Sequence, residues 1–275
     1  MHCLEGDSSL VKNWSVGLIV PMQDPTPFSP FRPADWQQGL DLVAASGFDG
    51  VELAITNPAL LETSEVAEAL ESRGLRLLSI TTGQAAALEG LSLSSSDQDV
   101  RQRAIRRICD HMAFAEQFEA VVIVGSLRGA DGDQDLLKES LAACAASCPA
   151  VTIALEPLNR YESRLLNSIE CAMALIEDID APNLGVLFDT FHANIEEVSI
   201  PEAIYRAGDR LVHVHLADSN RWVPGFGHLE FAQVWDSLEQ VSYQHSIVFE
   251  PLPRPTIDKL LASGGKLKAE WLTGG

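Results

Sequence analysis

The sequence predicts an α/β fold: a single (β/α)8 barrel of parallel strands. Three observations predict it. Short β-branched runs alternate with amphipathic stretches along the chain, giving about eight strand–helix units. Parallel strands need crossover helices, and eight such units in about 250 residues favour a closed TIM barrel over an open sheet. No GxGxxG follows the first strand, as a dinucleotide-binding sheet would require. The expected domain is the whole chain, 1–275, with the barrel proper over about 15–262.

In chain order, the first strand is expected over Ser15–Val20. The proline- and phenylalanine-rich stretch 21–33, PMQDPTPFSPFRP, is too long for a plain turn. A helix after Pro33 carries Leu40, Leu42 and Val43 and ends near Gly47. Strand two is expected over Asp49–Ala54, a helix over Ser64–Arg73, and strand three over Leu75–Thr81, with Gly74 stopping the helix. The small polar stretch 82–96 reads as a loop. Asp97 opens a long periodic helix reaching about Phe118. Four strands with apolar, β-branched runs follow strand four at Ala120–Gly125: Val151–Glu156, Leu184–Asp189, Leu211–Leu216 and Ser246–Glu250. The helices between and after them are expected over Gln134–Ser147, Ser168–Asp178, Pro201–Ala207, Phe231–Leu238 and from Thr256.

The net charge of −20 is spread along the chain. A field of that sign repels nucleic acid and anionic lipid surfaces, so neutral molecules or cations are the expected ligands. Arg101, Arg103, Arg106 and Arg107 share one helix without interleaved aromatics, and read as a solvated or ion-paired face. Five cysteines, Cys3, Cys109, Cys144, Cys148 and Cys171, form no CxxC pair; all but Cys3 fall in helix-like segments as small apolar residues, and the set suits a reducing compartment. The apolar run near Val16 is too short for a secretory leader, and no run approaches the ~18 apolar residues of a membrane span. A soluble, cytoplasmic protein is expected. A homo-oligomer, dimer or tetramer, is compatible with the sequence, which carries no signal for either.

The chemistry gathers at the strand ends. In such barrels catalytic residues sit where strands finish at their C-terminal ends. The last four predicted strands end in Glu156, Asp189, His215 and Glu250. A carboxylate closing an apolar run is costly to bury unless it is paired or coordinated. One such residue is ordinarily an ion pair or a cap, but four on consecutive strands read as a shared metal site. Three carboxylates and an imidazole suit one divalent ion, Mn2+ first, then Co2+ or Mg2+, and exclude a thiolate-rich zinc site. His213 lies on the same face as His215, one residue pair deeper, and reads as its support. The loops beyond the strand ends carry Asn159, Arg160, Glu162, His192 and Arg221, donors and acceptors suited to a polyhydroxylated substrate. Arg160 reads equally well as the partner of a nearby acid. His228 and His245 read as structural, Glu52 as a buried, hydrogen-bonded acid near the site, and Gln84 as a weak substrate contact.

The stretches EPLNRYES at 156–163, FDTFHANIEE at 188–197, HVHLADSNRWVPGFGHLEF at 213–231 and FEP at 249–251 resemble the xylose-isomerase-like barrels, specifically the ketose 3-epimerases that act on D-tagatose or D-psicose. The resemblance is dense in the second half of the chain. It implies a metal-dependent sugar epimerase or isomerase that works through a cis-enediolate, and the lack of a phosphate-binding glycine motif favours a free ketose. It makes Glu156, Asp189, His215 and Glu250 metal ligands, Glu156 and Glu250 the proton-transfer bases, and Glu162, His192 and Arg221 substrate contacts. Inosose dehydratase, hydroxypyruvate-type isomerase and an inactive sugar-binding barrel are the alternatives on the same fold. Sugar choice is expected to lie in the loops 21–33 and 82–96, which match no known specificity.

Overall fold

Eight short, largely buried runs form the strands of the computed structural model, which describes residues 14–267 and residue 269. They are β1 Ser15–Pro21, β2 Gly50–Ala54, β3 Arg76–Thr81, β4 Val121–Val124, β5 Ile153–Leu155, β6 Leu184–Asp189, β7 Leu211–Leu216 and β8 Ser246–Phe249. Each pairs in parallel with the next, and β1 pairs with β8, which closes the barrel. Closure leaves no strand edge to protect.

The helices are α1 Trp36–Ala45, α2 Thr63–Glu71, α3 Gly83–Glu89, α4 Gln98–Glu116, α5 Gln134–Ser147, α6 Ile169–Ile179, α7 Thr190–Glu196, α8 Ile200–Ala207, α9 Phe231–Gln240 and α10 Ile257–Leu267. Asp97, Asp133, Ser168, Asp189 and Ser199 each accept a backbone N–H at the start of α4 to α8 and satisfy part of the first turn. Two of these helices fall in stretches that read as loops. Helix α3 occupies part of 82–96, starts without a side-chain cap and stops at Gly90, whose φ of 64° only glycine adopts freely. Helix α7 begins directly after β6. Seven residues are too few to show a 3.6-residue repeat, so neither helix has a periodic signature.

Arg107 pairs with Glu89 at 2.8 Å and also donates to the Thr56 carbonyl, so the arginine-bearing helix does present an ion-paired face. Cys144 is buried, Cys109 and Cys148 are half-buried, and Cys171 is exposed, contrary to a uniformly buried set; all four are free thiols. Helix α6 turns its apolar side to the barrel and Cys171 away from it. Cys3 and the two ends of the chain, 1–13 and 270–275, lie outside the described residues. No described helix is long and apolar enough to cross a membrane.

Most of the apolar core packs between the strands and the helix ring. The barrel interior also carries a polar group. Glu52 on β2 hydrogen-bonds His215 on β7, and these strands are not neighbours, so the contact crosses the interior. Polar ties also join the strand ends. Thr190 Oγ1 donates to the Ala217 carbonyl at 2.6 Å, linking β6 to β7, and Thr82 Oγ1 donates to the Ile123 carbonyl at 2.8 Å, linking β3 to β4. The rim is therefore held as a rigid frame for the side chains that rise from it.

Candidate active site

Glu156 and Glu250 are the first residues past β5 and β8, and their backbone N–H groups still bond Val124 and Leu216 in the neighbouring strands at 3.1 Å. Asp189 ends β6, and His215 is next to last in β7. One ligand atom from each of the four lies within 4.8 Å of the others. His215 Nδ1 stands 3.6 Å from Glu156 Oε1, 3.9 Å from Asp189 Oδ2 and 3.6 Å from Glu250 Oε2. None of the four residues is more than 7 % exposed.

Local structure aims each group. Asp189 caps α7: its Oδ1 accepts from Phe191 N at 2.6 Å and His192 N at 3.2 Å, which turns Oδ2 toward the cluster. His215 Nε2 is 3.0 Å from Glu52 Oε2, so its Nδ1 faces the three carboxylates. Arg128, fully buried in the turn after β4, donates to the Glu156 backbone carbonyl and to that of Leu165, pinning the chain just beyond β5. At Gly125 an added Cβ would overlap the Glu156 carboxylate, so only glycine leaves room for that side chain.

Glu156 Oε1, Asp189 Oδ2 and His215 Nδ1 are buried and have no hydrogen-bond partner among the described residues. Buried polar atoms are rarely left so, because desolvation without a partner is costly. Three such atoms converging beside Glu250 fit one hard or borderline divalent ion. The electrostatics record the crowding. Burial, then the charge of Glu250, pushes Asp189 up to about 6. Burial also raises Glu156. Burial pushes Glu250 the same way, but His215 and Arg221 outweigh it and hold Glu250 below the usual carboxylate range. The two glutamates thus differ in proton affinity.

A cavity of about 350 Å3 opens above this floor, lined by Glu156 and Glu250 and by Glu162, His192 and Arg221. Arg221 Nη1 bonds Glu162 Oε1 at 2.8 Å and Nη2 reaches Glu250 Oε2 at 3.5 Å. Its guanidinium lies over the Phe28 ring at 4.1 Å and over the Phe191 ring at 4.8 Å, two cation–π contacts that hold the charge at the cavity wall. His192 Nδ1 accepts the Asn159 backbone N–H at 3.2 Å. The ring proton therefore lies on Nε2, which is buried and without a partner among the described residues.

All seven sequence-predicted site residues meet here. The other expectations divide. His213 is fully buried against Ser79 and Glu52. Arg160 pairs with Glu196 at 2.9 Å instead of entering the cavity. Gln84 lines the cavity, yet its amide donates to the Asp24 and Pro25 carbonyls. His228 bonds Ser219 at 2.9 Å, and His245 is exposed. Arg128 and Phe28 are the residues that sequence reasoning passed over. An arginine flanked by glycine just past a strand end was the available signal for the first; nothing marks which phenylalanine of the loop turns inward.

The sequence pattern described as the xylose isomerase-like TIM barrel matches residues 40–268. The D-psicose 3-epimerase of Enterocloster bolteae is 31 % identical over 240 residues, 79 % of this chain and 77 % of the relative. The L-ribulose 3-epimerase of Mesorhizobium japonicum is 31 % identical over 229 residues, covering 79 % and 75 %. Among solved structures, D-psicose 3-epimerase with D-tagatose from Clostridium cellulolyticum superposes with a TM-score of 0.73 at 26 % identity, covering 94 % of this chain and 91 % of that one. A closed eight-stranded barrel, a polar cluster at its C-terminal rim and this extent of likeness together place the chain in the xylose isomerase-like TIM barrel family.

Proposed function

We propose that the protein is a divalent-metal-dependent epimerase of free ketoses, inverting a carbon next to the carbonyl. The observation that carries this reading is the convergence of three partnerless buried atoms, on Glu156, Asp189 and His215, beside Glu250 at the cavity floor. The names of the relatives, D-psicose and L-ribulose 3-epimerases, support the substrate class. Glu156, Asp189, His215 and Glu250 would hold the ion, Mn2+ by preference, with Co2+ and Mg2+ in the same class. Bound there, it supplies Lewis acidity toward the carbonyl oxygen and the adjacent hydroxyl.

The chain's own residues do the rest. One of Glu156 and Glu250 removes the proton on one face of the substrate, leaving a cis-enediolate. The other delivers a proton to the opposite face, and the centre inverts. One carboxyl ends the turnover protonated and the other ionised, and exchange with solvent resets the pair. His192 donates from Nε2 to a substrate oxygen. Glu162 and Arg221 bracket a hydroxyl, with Arg221 held by its two aromatic neighbours. Its charge is already engaged by Glu162 and Glu250, which suits a neutral sugar better than a phosphorylated one.

A screen of ketoses with Mn2+, Co2+ and Mg2+, read by the epimeric products, tests the reading. Inososes and hydroxypyruvate belong in the panel, since dehydration or aldose–ketose isomerisation would use the same donors. Glu250→Gln is expected to abolish epimerisation, by at least about a thousandfold, while the circular dichroism stays that of the folded protein. Near-normal turnover by this variant sinks the two-base mechanism. A purified protein that takes up no divalent ion points to a sugar-binding barrel without catalysis.

A further inference from the structure

We infer that Glu52 is a positioning residue for the metal centre, acting through His215 from the side of the ring remote from the ion. The inference rests on the metal reading above. Glu52 lies in the middle of β2, fully buried inside the barrel. Its Oε2 accepts the Ser79 hydroxyl at 2.6 Å and is 3.0 Å from His215 Nε2. An ionised carboxylate only accepts hydrogen bonds, so Nε2 carries a proton, and an ion bound at Nδ1 would meet that nitrogen's lone pair. That lone pair is the atom facing Glu156, Asp189 and Glu250. With the proton on Nδ1 instead, the ring would offer a hydrogen where an ion needs a donor. Ser79 holds the carboxylate in place, and a carboxylate behind a ligating imidazole also raises its basicity.

A competing reading makes Glu52, His213 and His215 a second ion site, since these three also lie close enough to share one. The geometry favours a hydrogen-bond hub. His215 Nε2 is at hydrogen-bond length from Glu52 Oε2, 3.0 Å, an oxygen that Ser79 already contacts, and His213 Nε2 bonds Ser79 Oγ at 3.2 Å while standing 3.4 Å from that oxygen.

The test uses the full chain stripped of metal, Mn2+ as titrant, and Glu52→Gln, Glu52→Met and Glu52→Asp. Glutamine can turn its NH2 toward the ring and permit the wrong tautomer, whereas methionine removes the acceptor at similar volume. Mn2+ affinity is expected to fall roughly 10–100-fold in both, and partly to return in Glu52→Asp. The metal-free Glu52→Met protein is expected to melt lower than wild type, because Ser79 and His215 lose a buried partner, so the test is read from affinity and not from melting. A merely structural Glu52 predicts lower melting with unchanged affinity. In the Mg2+-bound wild type, 15N spectra are expected to show His215 protonated at Nε2. Folded Glu52→Gln and Glu52→Met proteins that bind Mn2+ within about twofold of wild type overturn the inference and leave the metal reading standing. So does a wild type that binds two ions, one of them lost in Glu52→Gln. A wild type that binds no divalent ion overturns both.

Discussion

Asp189 uses its two oxygens for different ends, and much of the site follows from that division. Oδ1 caps α7 and Oδ2 faces the cluster, so the start of the helix and the aim of the ligand are one feature. Because His192 N is one of the capped groups, the same bonds set where the His192 ring stands. Asn159 completes the arrangement: its side-chain amide donates to His192 Nδ1 at 2.8 Å beside the backbone N–H, which leaves Nε2–H for the substrate. Asn159→Ala is expected to lower kcat/KM about tenfold, the loss of one well-placed hydrogen bond. In a double-mutant cycle with His192→Ala the effects should be far from additive, since Asn159 acts through that ring. Full additivity in steady-state kinetics would refute the coupling. At this scale the strand-end residues were legible in the sequence, because parallel strands bring all their C-terminal ends to one rim. The role of Glu52 was not. A mid-strand acid shows only which face it shares with its neighbours, and its contact with β7 depends on how the barrel closes.

At the scale of elements, the strands and the long capped helices were readable from apolar periodicity, and the short helices α3 and α7 were not. The loop after β7 illustrates what periodicity omits. Buried Asp218 gathers it: Oδ1 accepts from Ser219 N at 2.7 Å and Leu229 N at 3.1 Å, and Oδ2 from Gly225 N at 2.8 Å. An added Cβ at Gly227 would overlap that carboxylate. The folded loop holds Arg221 at a φ of 60°, a conformation that costs a non-glycine residue energy and persists only where its surroundings impose it. Asp218→Ala removes the imposing contacts. Its KM for ketose is expected to rise roughly tenfold, as one charge-assisted hydrogen bond to substrate is lost. Trypsin should then cut after Arg221 in the variant and spare the wild type. A loop that resists trypsin equally in both proteins would show that Asp218 does not organise it.

For the whole molecule, the early loops and the acidic charge set the terms. Gln23 accepts from Thr56 N and Asn57 N at 2.9 and 2.7 Å, Thr56 Oγ1 bonds Asp24, and Gln84 bonds the Asp24 carbonyl, so the loops after β1, β2 and β3 form one wall of the cavity, which meets Arg221 through Phe28. The sequence could place those loops at the rim but not show that they interlock, because each bond joins segments about 30 to 60 residues apart. That wall faces a floor where Glu156, Asp189 and Glu250 crowd one another in a chain of net charge −20. Without a cation their mutual repulsion opposes folding, and a bound divalent ion reverses its sign. Ion binding to the folded state alone, at about a hundred times its Kd, contributes about 2.7 kcal/mol. For a chain of this size that corresponds to a Tm roughly 5–10 °C higher. Chelation should therefore lower Tm by that amount, and Mn2+ should restore it. Sodium chloride at matched ionic strength should restore much less, because screening acts on exposed charges and hardly on buried ones. Equal recovery with sodium would mean that diffuse surface repulsion, and not the rim cluster, sets the stability of the metal-free protein.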